Sequence, residues 1–232
     1  MPRKRRVVLP GYPHHILHRG HNRQAVFKEE EDYLKYLADV KELKQSFGVD
    51  VYAWCLLPDE VHLLINPGPD TDALGAFMKS LAARMTRHRN RREERRGTLW
   101  ESRYRSSPVQ FSWLLPCVRY LEQLPVRQGR VSGPEWYPWS SYTERLTAGA
   151  GSSTLDPDPD YLNLADTEEE RRSLYESYVR HKPDDRETVL IHDAVERNQL
   201  TGDPDFTDEV EALTGHRVSN RGRGRPRLKQ RF

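Results

Sequence analysis

Leu56-Leu57-Pro58-Asp59-Glu60-Val61-His62-Leu63-Leu64-Ile65 is the stretch on which the fold turns. A Pro turn leads into a β-branched and aliphatic run, the pattern of a strand returning from a hairpin bend. Strand side chains alternate between faces, so Glu60 and His62 share one face while Val61 and Leu63 share the other. A carboxylate and an imidazole on one face supply two donors of a metal site. The same letters also suit an exposed polar face on an edge strand. Tyr120, in a later helical pattern among arginines, weighs toward the first reading.

Upstream, Val49 to Leu57 is rich in Val, Tyr and Trp and forms the outgoing arm of the hairpin. Tyr33, Leu34, Leu37, Val40, Leu43 and Phe47 recur at three and four within Glu29 to Phe47, predicting an amphipathic helix closed by Gly48. His15 to Arg19 reads as a short strand after the Gly11-Tyr12-Pro13 turn. The polar loop Gly20-His21-Asn22-Arg23-Gln24 that follows suits base edges or phosphates, or is an ordinary turn.

Downstream, Asn66-Pro67-Gly68-Pro69 breaks structure. Thr71 or Asp72 then caps a helix with the stripe Leu74, Phe77, Met78, Leu81 and Met85, ended by Gly97. Arg84, Arg87, Arg91 and Arg95 share one side of its last turns, facing a phosphate backbone or forming a solvated helix end. Tyr104 to Phe111 has strand length, with Pro108 marking an edge or a bulge. Ser112 caps a helix from Trp113 to about Gln123 that carries Tyr120, and Pro125-Val126-Arg127 ends it. The rings of Trp136-Tyr137-Pro138-Trp139-Ser140-Ser141-Tyr142 are chiefly packing, with base stacking open to some. The order βαββαβ closes into a four-stranded antiparallel ferredoxin-like sheet, an α+β fold, with the Tyr120 helix added and the first and third strands central.

The 232 residues fit one ordinary domain and an appendage. A net charge of +2 conceals strong segregation. Residues 1–6 hold four Lys/Arg and no acid, residues 79–105 ten against three, and residues 217–232 seven against none. Three basic blocks point to a polyanion. Eleven Asp/Glu against five Lys/Arg between Asp156 and Glu187 should avoid that polyanion or shield the protein from it. Cys55 and Cys117 lie in apolar patterns without metal spacing and read as core thiols of a reducing compartment. With no apolar run approaching about 18 residues and no signal-peptide pattern, the expectation is a soluble, cytoplasmic, nucleoid-associated protein with no membrane and no small-molecule partner.

Composition divides the chain into a 1–145 domain, a 146–163 linker, a 164–216 helical extension and a 217–232 basic tail. The linker combines a Gly/Ser/Thr/Ala stretch with Asp-Pro repeats. Helices are expected over Leu164 to Arg180, Val189 to Asn198 and, capped by Asp203-Pro204, through Leu213. The tail's R-G-R-P is similar to an AT-hook, and a generic basic tail reads the same letters.

Five ordered motifs carry a family resemblance over residues 10–145. Leu57 to Leu64 resembles the M-P-N-H-x-H-L-L signature of the single-tyrosine (HUH-type) transposases, within them the REP-associated tyrosine transposase group. His18 to Gln24 is similar to that group's R-G-N-x-R-Q loop, and Gly97 to Tyr104 to its G-x-L-W-x-x-R-Y/F segment. Tyr120 to Arg127 is similar to Y-I-E-x-N-P-V-R, and Tyr137 to Tyr142 to Y-x-W-S-S-Y. The resemblance implies Tyr120 as nucleophile and a divalent ion, Mg²⁺ or Mn²⁺, held by Glu60 and His62, with Gln123 and Asp59 as further candidates. Glu60 stands where the family has its first metal histidine, Asp59 where it has Asn, and Leu124 where it has a further Asn. Oxygen donors suit a hard ion, so Glu for His keeps a competent ligand, whereas Leu for Asn loses one. Gln123 lies about 100° around the helix from that position.

The implied activity is cleavage and rejoining of single-stranded or hairpin DNA, REP-like palindromes among them, through a covalent 5′-phosphotyrosine. Arg3, Lys4, Arg5, Arg6, Arg19, Asn22, Arg23, Gln24, Arg84, Arg87, Arg91, Arg95, Arg103, Arg223, Arg225 and Arg227 are the candidate DNA contacts. A DNA-binding protein descended from such an enzyme, its chemistry weakened at Glu60 and Leu124, stays open beside it. An RNA-binding ferredoxin-like module would show aromatic sheet residues that are missing here.

Removing residues 217–232 is expected to weaken binding to every DNA by a similar factor. It should also flatten the salt dependence, by roughly 0.9 log-log units for each phosphate that the tail neutralises. Titrations across a salt series check this, and an unchanged slope would make the tail a bystander.

Overall fold

Period-two alternation builds the sheet that a computed structural model describes, together with the rest of residues 6–147 and 154–215. Its strands are β1 (His14–Arg19), β2 (Asp50–Leu57), β3 (Glu60–Asn66) and β4 (Arg105–Pro108), ordered β2-β3-β1-β4 with every pair antiparallel. The expected ferredoxin-like arrangement is present, and β1 and β3 are central. Helices α1 (Glu30–Phe47) and α2 (Thr71–Arg92) cover one face, where Ile16, Val61, Leu63 and Ile65 meet Val40, Leu43, Leu74, Phe77 and Leu81. On the other face α3 (Leu114–Arg127) packs Cys117, Val118 and Leu121 onto Cys55, Leu57 and Leu64. Both cysteines are buried and free, and among the described residues no helix is long and apolar enough to cross a membrane.

Several local expectations are corrected. In α1, Tyr36 is buried and Leu34 is exposed, so the apolar stripe is rotated from the one read in the sequence. The cap of α2 is Asp70, not Thr71 or Asp72, because its carboxylate accepts from the Asp72 amide at 2.8 Å. That helix stops at Arg92 and not at Gly97. Glu94 adopts φ 49° while Arg95 N–H bonds Asn90 O and Glu94 N–H reaches Arg91 O, a Schellman closure made without glycine. Conversely, α3 continues past Gln123 to Arg127, with Pro125 inside it. Proline forfeits one helical donor there, and the Schellman closure falls at Gly129 (φ 66°) with Arg130 N–H on Pro125 O at 2.9 Å.

Of the arginine face expected on α2, Arg84 meets acids across the α1–α2 seam and Arg95 pairs with Glu93, while Arg89 and Arg92, outside that face, close the rest of the seam. Arg84 pairs with Asp39 and Glu42, buried Arg89 with Asp32 at 2.5 Å, and Arg92 with Glu29 and Glu31. Arg87 and Arg91 remain exposed.

The C-terminal helices α4 (Ser141–Thr147), α5 (Pro159–Leu162), α6 (Glu168–Arg180), α7 (Asp185–Arg197) and α8 (Pro204–Thr214) do not stand apart. Tyr175, Val179 and Ile191 share the apolar cluster of α3, and Glu122 of α3 accepts from Ser141 Oγ at 2.7 Å and Tyr175 OH at 2.5 Å. Part of the expected linker is ordered as well. Asp156 accepts from Val51 N–H at 2.7 Å and from Lys44 at 2.9 Å, and Asp158 caps α5 with Pro159 at its first position. Residues 148–153 and the basic tail lie outside the described residues, as do Arg3, Lys4 and Arg5.

Candidate active site

Glu60 and His62 lie on the β3 face that α3 covers, both buried, which removes the exposed-edge reading of this pair. The β1 register sets Arg19 opposite Glu60, Leu17 opposite His62 and His15 opposite Leu64, bringing three more side chains to that face. Glu60 Oε2 accepts from Arg19 Nε at 2.8 Å and from Arg23 Nη1 at 2.9 Å. Its Oε1 lies 3.3 Å from Gln128 Nε2 and 3.4 Å from His62 Nε2. On the far side of the imidazole, His62 Nδ1 and His15 Nε2 are 3.0 Å apart.

Tyr120 enters from α3 and is buried. The His15 ring meets it edge-on at 5.6 Å between centroids, the His62 ring lies at 6.5 Å, and Arg127 sits 4.0 Å over its ring. Its hydroxyl is 3.1 Å from His192 Nδ1, a residue of α7. One helical turn further, Glu196 pairs with both Arg19 and Arg105. The extension therefore contributes two side chains to this site.

Burial opposes ionisation of Glu60, but the hydrogen bond from His62, and then the hydrogen bond and charge of Arg19, outweigh it and hold the carboxyl well below its usual range. Burial raises the Tyr120 phenol, against Arg127, so the hydroxyl keeps its proton at neutral pH. Burial pushes His15 well below the usual imidazole range, with His62 adding to it. Partial burial also lowers His192, although Asp193 pulls the other way.

The expected ligands do not fit a divalent ion as they stand. His15 Nδ1 is buried without a partner, and a lone pair is cheaper to strand there than an N–H. That puts the His15 proton on Nε2, donating to His62 Nδ1, and the His62 proton on Nε2, directed at Glu60. The nitrogen needed for a metal is then a donor, and Glu60 is already served by Arg19, Arg23, His62 and Gln128. Gln123 donates to Val179 O at 2.5 Å and so points into α6, Asp59 is near Arg23 at 3.5 Å, and Leu124 belongs to the core. Among the described residues no group of three His, Cys, Asp or Glu side chains is arranged to hold a metal.

The remaining sequence candidates divide by engagement. Arg6 stacks on Tyr104 at 4.0 Å and bonds its carbonyl. Gln24 braces the Leu99 carbonyl at 2.9 Å and accepts from Arg95 at 2.9 Å, so its amide is not free for a base edge. Asn22, Arg23 and Arg103 are exposed. Sequence reading missed His15, Arg105, Arg127, Gln128, His192 and Glu196. Of these, His15 was legible, since alternation through Arg19 puts it on the Glu60 face.

Residues 10–123 match the sequence family described as "Transposase IS200 like". The fold resembles a solved REP-associated tyrosine transposase bound to a REP hairpin, at TM-score 0.56 and 18% identity, over 68% of this chain and 95% of that one. A putative transposase from Deinococcus radiodurans r1 aligns at 23% identity and TM-score 0.36, over 47% and 86%. Comparison with curated protein sequences gave no significant match.

Replacing Glu60 by Gln is expected to destabilise the chain in a pH-dependent way. A depressed carboxyl contributes stability that is present above its ordinary value of 4.5 and lost as pH falls toward the folded value. Urea melts without metal should show the wild-type advantage in full near neutrality and shrinking below about pH 4.5. A constant difference would detach Glu60 from the arginines.

Proposed function

Residues 10–123 place this chain in the IS200-like transposase family, and from that membership we propose that it cleaves and rejoins hairpin-bearing single-stranded DNA with Tyr120 as nucleophile. The observation that carries this reading is the Tyr120 hydroxyl, 3.1 Å from an imidazole and held beside the Glu60–His62–His15 chain on the central strands. The hairpin substrate is suggested by the solved relative of the same fold, whose partner is a REP hairpin.

In this proposal the phenolic oxygen attacks phosphorus, leaving a 5′-phosphotyrosine and a free 3′-hydroxyl. The ester keeps the phosphodiester's energy, so a second 3′-hydroxyl reverses the step and joins strands without ATP. Arg23, exposed by 58% and hydrogen-bonded to Glu60, is the guanidinium best placed to leave the carboxylate for an incoming phosphate. Exposed Asn22, Arg87, Arg91 and Arg103 would hold the DNA backbone.

A second reading is favoured by a specific observation. Glu60 surrounded by four donors, with Leu124 in the core, also describes a site that has lost its metal and survives as a DNA-binding surface. Incubation with hairpin DNA in Mn²⁺ or Mg²⁺, and separately in EDTA, decides between the two.

The proposed activity predicts a covalent adduct with the wild type that Tyr120→Phe eliminates while leaving hairpin affinity within a few-fold. Adduct formation that persists in Tyr120→Phe would overturn the assignment. If the site has decayed, wild type is inert, and Glu60→His with Leu124→Asn should create metal-dependent cleavage by returning an imidazole and an amide beside His62.

A further inference from the structure

Tyr120 is a weak nucleophile in its resting state, because burial favours the protonated phenol. Something must take its proton during attack. Glu60 is engaged by its four donors, His62 Nδ1 and His15 Nε2 are hydrogen-bonded to each other, and the free His15 Nδ1 makes no hydrogen bond to the phenol. His192 is the group whose ring nitrogen meets the phenolic oxygen, at 3.1 Å. It also lies outside residues 10–123, on the extension.

Its placement is two-sided. Nδ1 faces the buried hydroxyl, yet the residue as a whole is exposed. The helix that carries it is anchored to the sheet, because Glu196, four residues on, grips Arg19 of β1 and Arg105 of β4. Ile191, Ala194 and Val195 are buried on the inner side of the same helix. The imidazole is thus engaged at Nδ1 on a residue that solvent reaches, an arrangement suited to moving a proton between a closed site and solvent.

We propose that His192 is a catalytic residue, the proton acceptor for Tyr120, supplied to the transposase domain by helix α7; the proposal rests on the Tyr120 reading above. With its own proton on Nε2, neutral His192 accepts the phenolic proton at Nδ1 as the oxygen–phosphorus bond forms. The bond from phosphorus to the 3′ oxygen breaks, and that oxygen leaves with the electron pair and takes a proton from water. The hydroxide so formed is neutralised by the imidazolium N–H that faces solvent. Rejoining runs the same steps backward, with His192 returning a proton to the departing phenolate. The charged and titratable groups around the imidazole are Asp193 on α7, Arg19 on β1, His62 on β3 and Arg127 on α3.

The test is single-turnover adduct formation by the full chain on hairpin DNA with a single-stranded flank, run in Mn²⁺ and in EDTA. His192→Ala and His192→Gln should both lose about 10²- to 10⁴-fold in rate. Gln retains an acceptor for the phenol but cannot take its proton, so its failure separates chemistry from positioning. Hairpin affinity and melting temperature should stay near wild type, and added imidazole should restore part of the His192→Ala rate. A His192→Ala rate within about two-fold of wild type, or faster, would overturn the assignment and make α7 a bystander or a cover. Absence of any wild-type adduct would instead bring down the nuclease reading, and this proposal with it.

Discussion

Glu60 is a carboxylate in a place where burial alone would neutralise it, and it stays ionised through the donors that converge on it. Arg19 reaches it because β1 and β3 are neighbours in a register that pairs the two residues directly. Arg23 reaches it from the loop after β1, where Gly20 cannot carry a Cβ because the Gln24 carbonyl would lie 2.1 Å away. Gln128 reaches it because α3 runs through Pro125 to Arg127. A central strand pair, a tight loop and an overlong helix thus share one point of attachment. Breaking a buried pair by removing one partner costs about 3–5 kcal/mol, a large fraction of ordinary domain stability.

The second dependence runs through the extension. Glu122 of α3 is tied to Ser141 and Tyr175, so the helix that carries Tyr120 is held from behind by α4 and α6. On the other flank α7 closes over β1 and β4 through Glu196. The family match ends at residue 123, but the surroundings of Tyr120 do not. Its hydroxyl partner and the second counter-ion of Arg19 both come from residues 192–196.

Much of this was legible in the sequence. Two periodicities and the element order gave the ferredoxin-like sheet with β1 and β3 central, and the Glu60/His62 alternation put both on one face of a central strand, but not that α3 would cover that face. The Y-x-W-S-S-Y rings proved to be packing, with Trp139 stacked on Tyr33 at 4.4 Å and Tyr137 bonded to the Leu56 carbonyl at 2.8 Å. Part of the α2 basic run, Arg84 of the expected face with Arg89 and Arg92 beside it, is neutralised across the seam, because a run of one charge sign says nothing about the acids that another helix sets against it. Those acids, Glu29, Glu31, Asp32, Asp39 and Glu42, lie on and just before α1. His192 and Glu196 were invisible for a related reason. They share a face of α7 by their spacing, but local sequence does not say where that face docks.

The central claim is that Tyr120 forms the bond to DNA, and mass spectrometry of the digested protein tests it most directly. After incubation of the full chain with a hairpin carrying a single-stranded flank, the account predicts a nucleotide phosphate on the peptide containing Tyr120. No modified peptide, or modification on another tyrosine such as Tyr104, would contradict it.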